Sequence, residues 1–79
     1  MTHYTDKEKV FFVRHGIGSD SCYMTIYQKL EKFKTGGGAH RLVSKNLPVR
    51  ETIEEAQNDL DAYAKKQKNW SFYNEDTRP

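Results

Sequence analysis

The sequence predicts a small α+β domain, in which a three-stranded antiparallel sheet packs in two layers against one C-terminal helix. Two runs rich in β-branched and aromatic residues come first, a glycine triplet follows, and a capping motif precedes an amphipathic run. A chain of 79 residues has room for one domain with a thin core. We expect this domain to span residues 9–73, between a flexible N-terminus, residues 1–8, and a flexible tail, residues 74–79.

The first predicted strand covers residues 9–15, Lys-Val-Phe-Phe-Val-Arg-His. Its β-branched and aromatic side chains favour extended backbone. Residues 16–21, Gly-Ile-Gly-Ser-Asp-Ser, are mostly turn formers and predict a loop that ends the strand.

The second predicted strand, residues 22–29, has the clearest alternation in the chain. Side chains two residues apart lie on the same face of a strand. We assign Cys22, Met24 and Ile26 to the side that the helix covers. The opposite face is then open to solvent, and it carries Tyr23, Thr25, Tyr27 and Lys29.

A chain reversal is predicted at residues 35–38, Thr-Gly-Gly-Gly, because glycine readily adopts positive φ. The third predicted strand, residues 39–44, then pairs antiparallel with the second. Its register stays open, since the connection is longer than the two-residue turns that fix strand pairing.

The predicted helix covers residues 53–66. Thr52 and Glu55 have the spacing of a capping box, in which each residue satisfies a free backbone N–H of the other. Apolar residues recur at helical spacing and form one stripe: Ile53, Ala56, Leu60, Tyr63 and Ala64. Beyond the helix, Trp70, Phe72 and Tyr73 close the core or form an interface, and core is the better interpretation.

Composition and cysteine content exclude several classes of protein. The longest apolar run is far too short for a membrane span, and the N-terminus has no signal-peptide core, so we expect a cytoplasmic protein. One cysteine, Cys22, excludes an internal disulfide and a cysteine-rich zinc site. The three histidines lie in separate segments without metal-ligand spacing. We expect no metal and no cofactor.

Basic residues concentrate in the second predicted hairpin, where residues 28–50 contain six Lys or Arg and one Glu. Basic groups beside exposed aromatic rings contact phosphates by charge and bases by stacking. We therefore predict a non-enzymatic module that binds DNA or RNA through the open sheet face and this hairpin. The predicted site consists of Tyr23, Tyr27, Lys29, Lys32, Lys34, Arg41 and Lys45. Alternatively, lysines at strand edges and hairpin tips only discourage aggregation.

Three strands with a glycine-bearing hairpin, followed by a helix that opens Thr-Ile-Glu-Glu-Ala, resemble the arm-type, AP2-like N-terminal domains of phage and transposon integrases. The resemblance covers about residues 9–66. It implies a phage or mobile-element protein whose sheet enters the DNA major groove. Thr52, Glu55 and Ala56 match the start of the family's helix, and Leu60 and Tyr63 match its buried stripe. The family's DNA-facing positions fall on Tyr23, Tyr27, Lys29, Arg41 and Lys45.

The alternative is a protein-interaction module. Phage-borne inhibitors such as anti-CRISPR proteins resemble this chain in size and architecture, although the strongly acidic DNA mimics among them do not share its net charge of +2. An open, tyrosine-bearing sheet also suits a homodimer. Salt distinguishes these partners, because phosphate binding weakens steeply as salt rises and a packed tyrosine interface does not.

Residues 10–16, Val-Phe-Phe-Val-Arg-His-Gly, resemble the opening of the histidine phosphatase superfamily. That resemblance implies His15 as a phosphoryl-accepting nucleophile and Arg14 as a phosphate clamp. The superfamily also needs a second histidine and a second arginine from distant segments, and His40 in the glycine-flanked hairpin is the one histidine that follows. We interpret the stretch as a strand entering a turn, and predict that the protein is not an enzyme.

Overall fold

The computed structural model describes residues 2–16 and 22–73, which form a five-stranded antiparallel sheet and two helices. In chain order the elements are β1 His3–Thr5, β2 Lys9–His15, β3 Tyr23–Lys29, α1 Leu30–Phe33, β4 His40–Arg41, α2 Ile53–Lys65 and β5 Ser71–Tyr73. The strands lie in the order β4-β3-β2-β1-β5. In this part of the chain, no helix is both long and apolar enough to cross a membrane.

The predicted combination of an antiparallel sheet and a helix is confirmed, but the described residues form a sheet of five strands rather than three. The two additional strands, β1 and β5, are each three residues long. They pair with each other although they lie near opposite ends of the sequence. Strands this short have no readable alternation, so the sequence did not predict them. Residues 3–5 therefore belong to the sheet and not to a flexible N-terminus, whereas the predicted tail and most of the loop predicted at 16–21 lie outside the described residues.

The elements with clear local patterns lie close to their predicted positions. Strand β2 has the predicted bounds, and β3 begins at Tyr23, one residue later than predicted. Strand β4 is antiparallel to β3, with Tyr27 opposite His40, but it covers only two residues of the predicted range. The connection between them contains the helical turn α1.

Helix α2 begins after the predicted Thr52 cap, but the Glu55 side chain bonds to the Thr52 hydroxyl where the capping box predicted the Thr52 backbone N–H. The Glu55 backbone N–H donates to Thr52 Oγ1 at 3.2 Å, and the Thr52 hydroxyl donates to Glu55 Oε1 at 2.9 Å. Arg50 donates from Nε to Asp59 Oδ2 at 2.7 Å, which ties the segment ahead of the helix to its second turn. The start of the helix is thus held by two side-chain pairs.

The prediction of which sheet face meets the helix is wrong. The core joins Phe11 and Val13 of β2 to Leu60 and its neighbours on α2, and the β3 residues opposite them are Tyr27 and Thr25. The tyrosines of β3 therefore lie on the face against α2, which we call the helix side. Cys22, Met24 and Ile26 lie on the opposite, far side. Alternation separates two sets of side chains, but it does not say which set is buried when both contain apolar groups.

The far side of the sheet is also covered, in part by α1. Val10 and Ile26 are 0% and 7% exposed there. The Phe12 ring stacks on His3 and meets Phe33 of α1 edge-on, at centroid distances of 5.1 and 5.6 Å. The protein therefore does not have the fully open sheet face that the sequence predicted.

One row of cross-strand partners crosses all five strands on the helix side, and we call it the aromatic row. Its members, in spatial order, are Phe72, Tyr4, Phe11, Tyr27 and His40. Trp70 stacks on Phe11 at 3.9 Å, so this member of the C-terminal aromatic group packs against the core, as predicted. Phe72 is 74% exposed and is not part of the core.

Candidate anion-binding cleft

A cleft of about 350 Å³ opens at the His40 end of the aromatic row. Its lining residues are Lys9, Tyr27, Lys29, Lys32, Gly38 and His40. Among the described residues, no carboxylate lines this cleft, so its walls carry three positive charges without a neutralising partner. Such a concave, basic site favours an anionic ligand.

Strand pairing places two of these lysines side by side. Lys9 of β2 lies directly opposite Lys29 of β3, on the helix side of the sheet. Like charges at directly opposite positions destabilise an antiparallel pair. The sheet thus has an unfavourable pair of like charges in the wall of the cleft.

The aromatic part of the cleft is formed by Tyr27 and His40, which are opposite each other on β3 and β4. Their ring centroids lie 5.8 Å apart with a tilt of 38°. Tyr27 is half-buried against Phe11, whereas His40 is exposed. Lys9 Nζ lies 5.3 Å from the Tyr27 ring centroid, a cation–π contact that holds the ammonium over the cleft.

The glycine segment shapes the remaining wall. Gly38 has a φ of +71°, and a Cβ there would lie 3.2 Å from Lys32 Cδ, so a larger residue would be strained and would press on that lysine. Gln28, which is buried on the far side, donates from Nε2 to the Gly37 carbonyl at 2.8 Å. This bond fixes the glycine segment against the end of the sheet.

A second depression adjoins the cleft and shares Lys29 with it. It has a volume of about 440 Å³ and is lined by Lys7, Glu8, Lys29, Leu30, Glu31 and Lys34. The β1–β2 turn forms one side, with Asp6 Oδ1 accepting the backbone N–H groups of residues 8 and 9 at 2.9 and 2.7 Å. Lys7, at φ +79°, occupies a left-handed position that is uncommon for residues other than glycine.

The structure separates the seven residues of the predicted site. Tyr27, Lys29 and Lys32 line the cleft, and Lys34 lines the adjoining depression. Arg41 lies on the far side, opposite Ile26, and Lys45 is exposed in the loop after β4. Tyr23 lies at the other end of β3, where its backbone pairs with that of Arg50 and its side chain packs against the core.

Sequence reasoning missed Lys9 and His40 as lining residues. Lys9 stands 20 positions before Lys29, and only the β2–β3 register brings the two together. His40 stands within the basic hairpin, but its position opposite Tyr27 depends on the β3–β4 register that the sequence left open. The available signal was that Lys9 begins the first predicted strand and that His40 lies in the third, beside the basic residues of the hairpin.

The histidine of the Arg-His-Gly stretch is not part of the cleft. His15 is exposed at the end of β2, with its ring edge-on to Tyr23 at 5.1 Å. Arg14, its neighbour on the strand, points to the opposite face. The predicted strand end at this stretch is confirmed.

The opposite end of the aromatic row has a different character. A groove of about 210 Å³ there is lined by Tyr4, Asp61, Ala64, Lys65, Trp70, Ser71 and Phe72. The Tyr4 hydroxyl donates to Asp61 Oδ1 at 2.6 Å. Burial first, and then the bond to Asp61 and its negative charge, raise the pKa of Tyr4 to about 12.

Comparisons with protein families, with curated proteins and with solved structures found no match to this chain.

Proposed function

We propose that this protein binds nucleic acid, with the phosphate backbone held in the cleft by Lys9, Lys29 and Lys32. The observation that carries the proposal is the directly opposed pair of Lys9 and Lys29 in a cleft that no carboxylate of residues 2–16 and 22–73 lines. A phosphate between the two ammonium groups would convert an unfavourable charge pair into two favourable contacts.

The aromatic content of the cleft favours nucleic acid over a simple inorganic anion. Tyr27 and the exposed His40 offer ring surface beside the lysines. Nucleic-acid sites combine charge for phosphates with rings for bases, and this cleft has both.

The proposed surface differs from the one that the integrase resemblance implies. That family uses the sheet face opposite its helix, and here α1 covers part of that face. The cleft instead opens on the helix side, at the edge formed by β3 and β4. The resemblance and an origin in a phage or mobile element stay predictions, and the proposal does not depend on them.

Two charge-matched triple variants test the proposal. The first replaces the cleft lysines Lys9, Lys29 and Lys32 by alanine, and the second replaces Arg41, Lys45 and Lys65, which are exposed elsewhere. Binding of a dye-labelled oligonucleotide is measured by fluorescence anisotropy over a range of salt concentrations. We expect the first variant to reduce the slope of log affinity against log salt by about 2 to 3, because each phosphate contact contributes about 0.7 to 0.9.

The second variant loses the same charge, so we expect it to retain most of the wild-type affinity and slope. Equal losses in both variants would show that net charge alone attracts the nucleic acid, and would refute the cleft. Absence of binding by the wild-type protein at low salt would refute the function itself.

A second candidate function, self-association or binding of another protein, is favoured by Phe72. This ring is 74% exposed on the edge strand β5, beside the groove at the other end of the aromatic row. Large exposed rings at a strand edge favour protein contacts. If this candidate is right, sedimentation will show a salt-insensitive oligomer that Phe72→Ser dissociates.

A further inference from the structure

The shape of the cleft distinguishes between forms of nucleic acid. A volume of about 350 Å³ lies at the small end of the range of roughly 300–1,000 Å³ typical of small-molecule sites. In a duplex the bases are paired and stacked, so only phosphates and groove edges are available to a protein. An unstacked nucleotide of a single strand can enter a concave site and place its base against a ring.

The rings of the cleft are arranged to receive a base beside a phosphate. His40 is exposed and tilted by 38° to Tyr27, which forms the half-buried wall. Lys9 Nζ already lies over the Tyr27 ring, 5.3 Å from its centroid. A base that packs on His40 would therefore have its phosphate within reach of the lysine pair.

The adjoining depression provides a path for the next nucleotides. It meets the cleft at Lys29 and adds Lys7 and Lys34 together with Glu8 and Glu31, so three positive and two negative side chains line it. A single strand can turn between two concave sites that share one residue. A duplex resists such a turn, since its persistence length is about 50 nm and bending it costs free energy.

We propose that the ligand is a single-stranded polynucleotide, with one base packed against His40 and Tyr27 and its backbone running over Lys29 towards Lys34. The inference rests on the proposed function and goes further, because it names the form of nucleic acid and the residue that contacts a base. Single-stranded DNA and RNA both offer phosphates and unstacked bases, and the binding test distinguishes between them.

The test measures anisotropy of dye-labelled probes at low salt with the full chain. The probes are a short mixed-sequence DNA strand, the RNA strand of the same sequence, and the DNA duplex. Unlabelled inorganic polyphosphate of similar charge serves as a competitor. We expect either single strand to bind at least about fivefold more tightly than the duplex, since stacking of one base on a ring contributes about that factor or more. The strand that binds more tightly shows whether the protein prefers deoxyribose or ribose.

His40→Ala and Arg41→Ala are the matched variants, because both residues are exposed, adjacent on β4 and on opposite faces. We expect His40→Ala to weaken single-strand binding by about five- to 100-fold and to leave competition by polyphosphate unchanged. We expect Arg41→Ala to change neither by more than about twofold. Circular dichroism of both variants checks that they fold.

Two results would overturn the inference while leaving the proposed function intact. The first is duplex binding as tight as single-strand binding. The second is a loss in His40→Ala that is equally large for polyphosphate, which would mean that His40 contributes charge and not ring surface. If no probe binds at all, the proposed function fails and the inference fails with it.

Discussion

The two regions of the aromatic row use similar side chains for opposite purposes. In the packed region, Tyr4 and Phe11 are 8% and 5% exposed and contact the cluster that contains Leu60 of α2. In the cleft region, Tyr27 is half-buried and His40 is exposed, with lysines around them. A continuous row of cross-strand rings is therefore core where α2 covers it and the wall of a charged site where that cover ends.

This difference has an energetic counterpart. Residues of the packed region bury apolar area, and each contributes stability in proportion to that area. The cleft region brings Lys9 and Lys29 together, which costs stability until an anion is bound. Substitutions in the two regions should thus change the free energy of unfolding in opposite directions.

The largest effect is expected from Leu60→Ala in the packed region. Leu60 is 0% exposed, and truncation of such a residue removes buried area and leaves a cavity, at a cost of about 2 to 5 kcal/mol. Urea unfolding followed by circular dichroism measures the loss. Asn58→Ala on the exposed side of α2 is the control, with an expected change within about 0.5 kcal/mol. A loss below 1 kcal/mol for Leu60→Ala would contradict the assignment of this region as core.

The next effect is expected from Tyr4→Phe, which removes the hydroxyl that donates to Asp61. A partly buried hydrogen bond to a charged group contributes about 1 to 2 kcal/mol, and urea unfolding at neutral pH measures its loss. The variant also changes the pH dependence. Because the pKa of Tyr4 is raised from 10.0 to about 12, the neutral hydroxyl stabilises the fold fully below pH 10.0, and this contribution disappears as the pH rises through about 12.

Tyr63→Phe is the matched control for this titration, since the rings of Tyr4 and Tyr63 both lie beside Trp70, at centroid distances of 6.2 and 5.5 Å. We expect Tyr63→Phe to retain the loss of stability between pH 10.0 and about 12, and Tyr4→Phe to reduce it. The same loss in both variants would assign the alkaline transition to another group.

A smaller effect, of opposite sign, is expected from Lys7→Gly at the depression beside the cleft. Lys7 has a φ of +79°, which glycine adopts without the steric cost that other residues incur. We expect a gain of about 0.5 to 1 kcal/mol in thermal or urea unfolding. Lys7→Ala keeps the Cβ and should show no such gain. If both variants are equally stable, the lysine is not strained.

The smallest effect is expected from Lys29→Ala in the cleft, and its sign is the sharpest test of the comparison. Removal of one of two directly opposed lysines should raise stability at low salt by about 0.2 to 0.5 kcal/mol. High salt should abolish this gain by screening. Lys45→Ala, which removes an exposed charge outside the cleft, should show no salt-dependent gain. A loss of stability in Lys29→Ala at low salt would mean that the lysine pair is not unfavourable.

Part of the candidate site was predictable from the sequence. Tyr27, Lys29 and Lys32 were predicted as binding residues from the basic, aromatic hairpin, and the structure brings them together in one cleft. Arg41 and Lys45 satisfied the same criterion but lie elsewhere. Charge density along the chain identifies a basic segment. Which of its side chains line the cleft depends on the side of each strand that faces the cleft.

The sequence alone determined the elements whose causes are local. Strand β2 follows from a run of β-branched and aromatic residues, and α2 from the Thr52 cap with its apolar stripe. The tertiary structure decided what depends on distant partners: the pairing of β1 with β5, the placement of the β3 tyrosines on the side of the sheet that faces α2, and the meeting of Lys9 with Lys29. Local patterns fix backbone conformation over a few residues, but register and coverage are set by contacts between segments far apart in the chain, and the cleft is a product of those contacts.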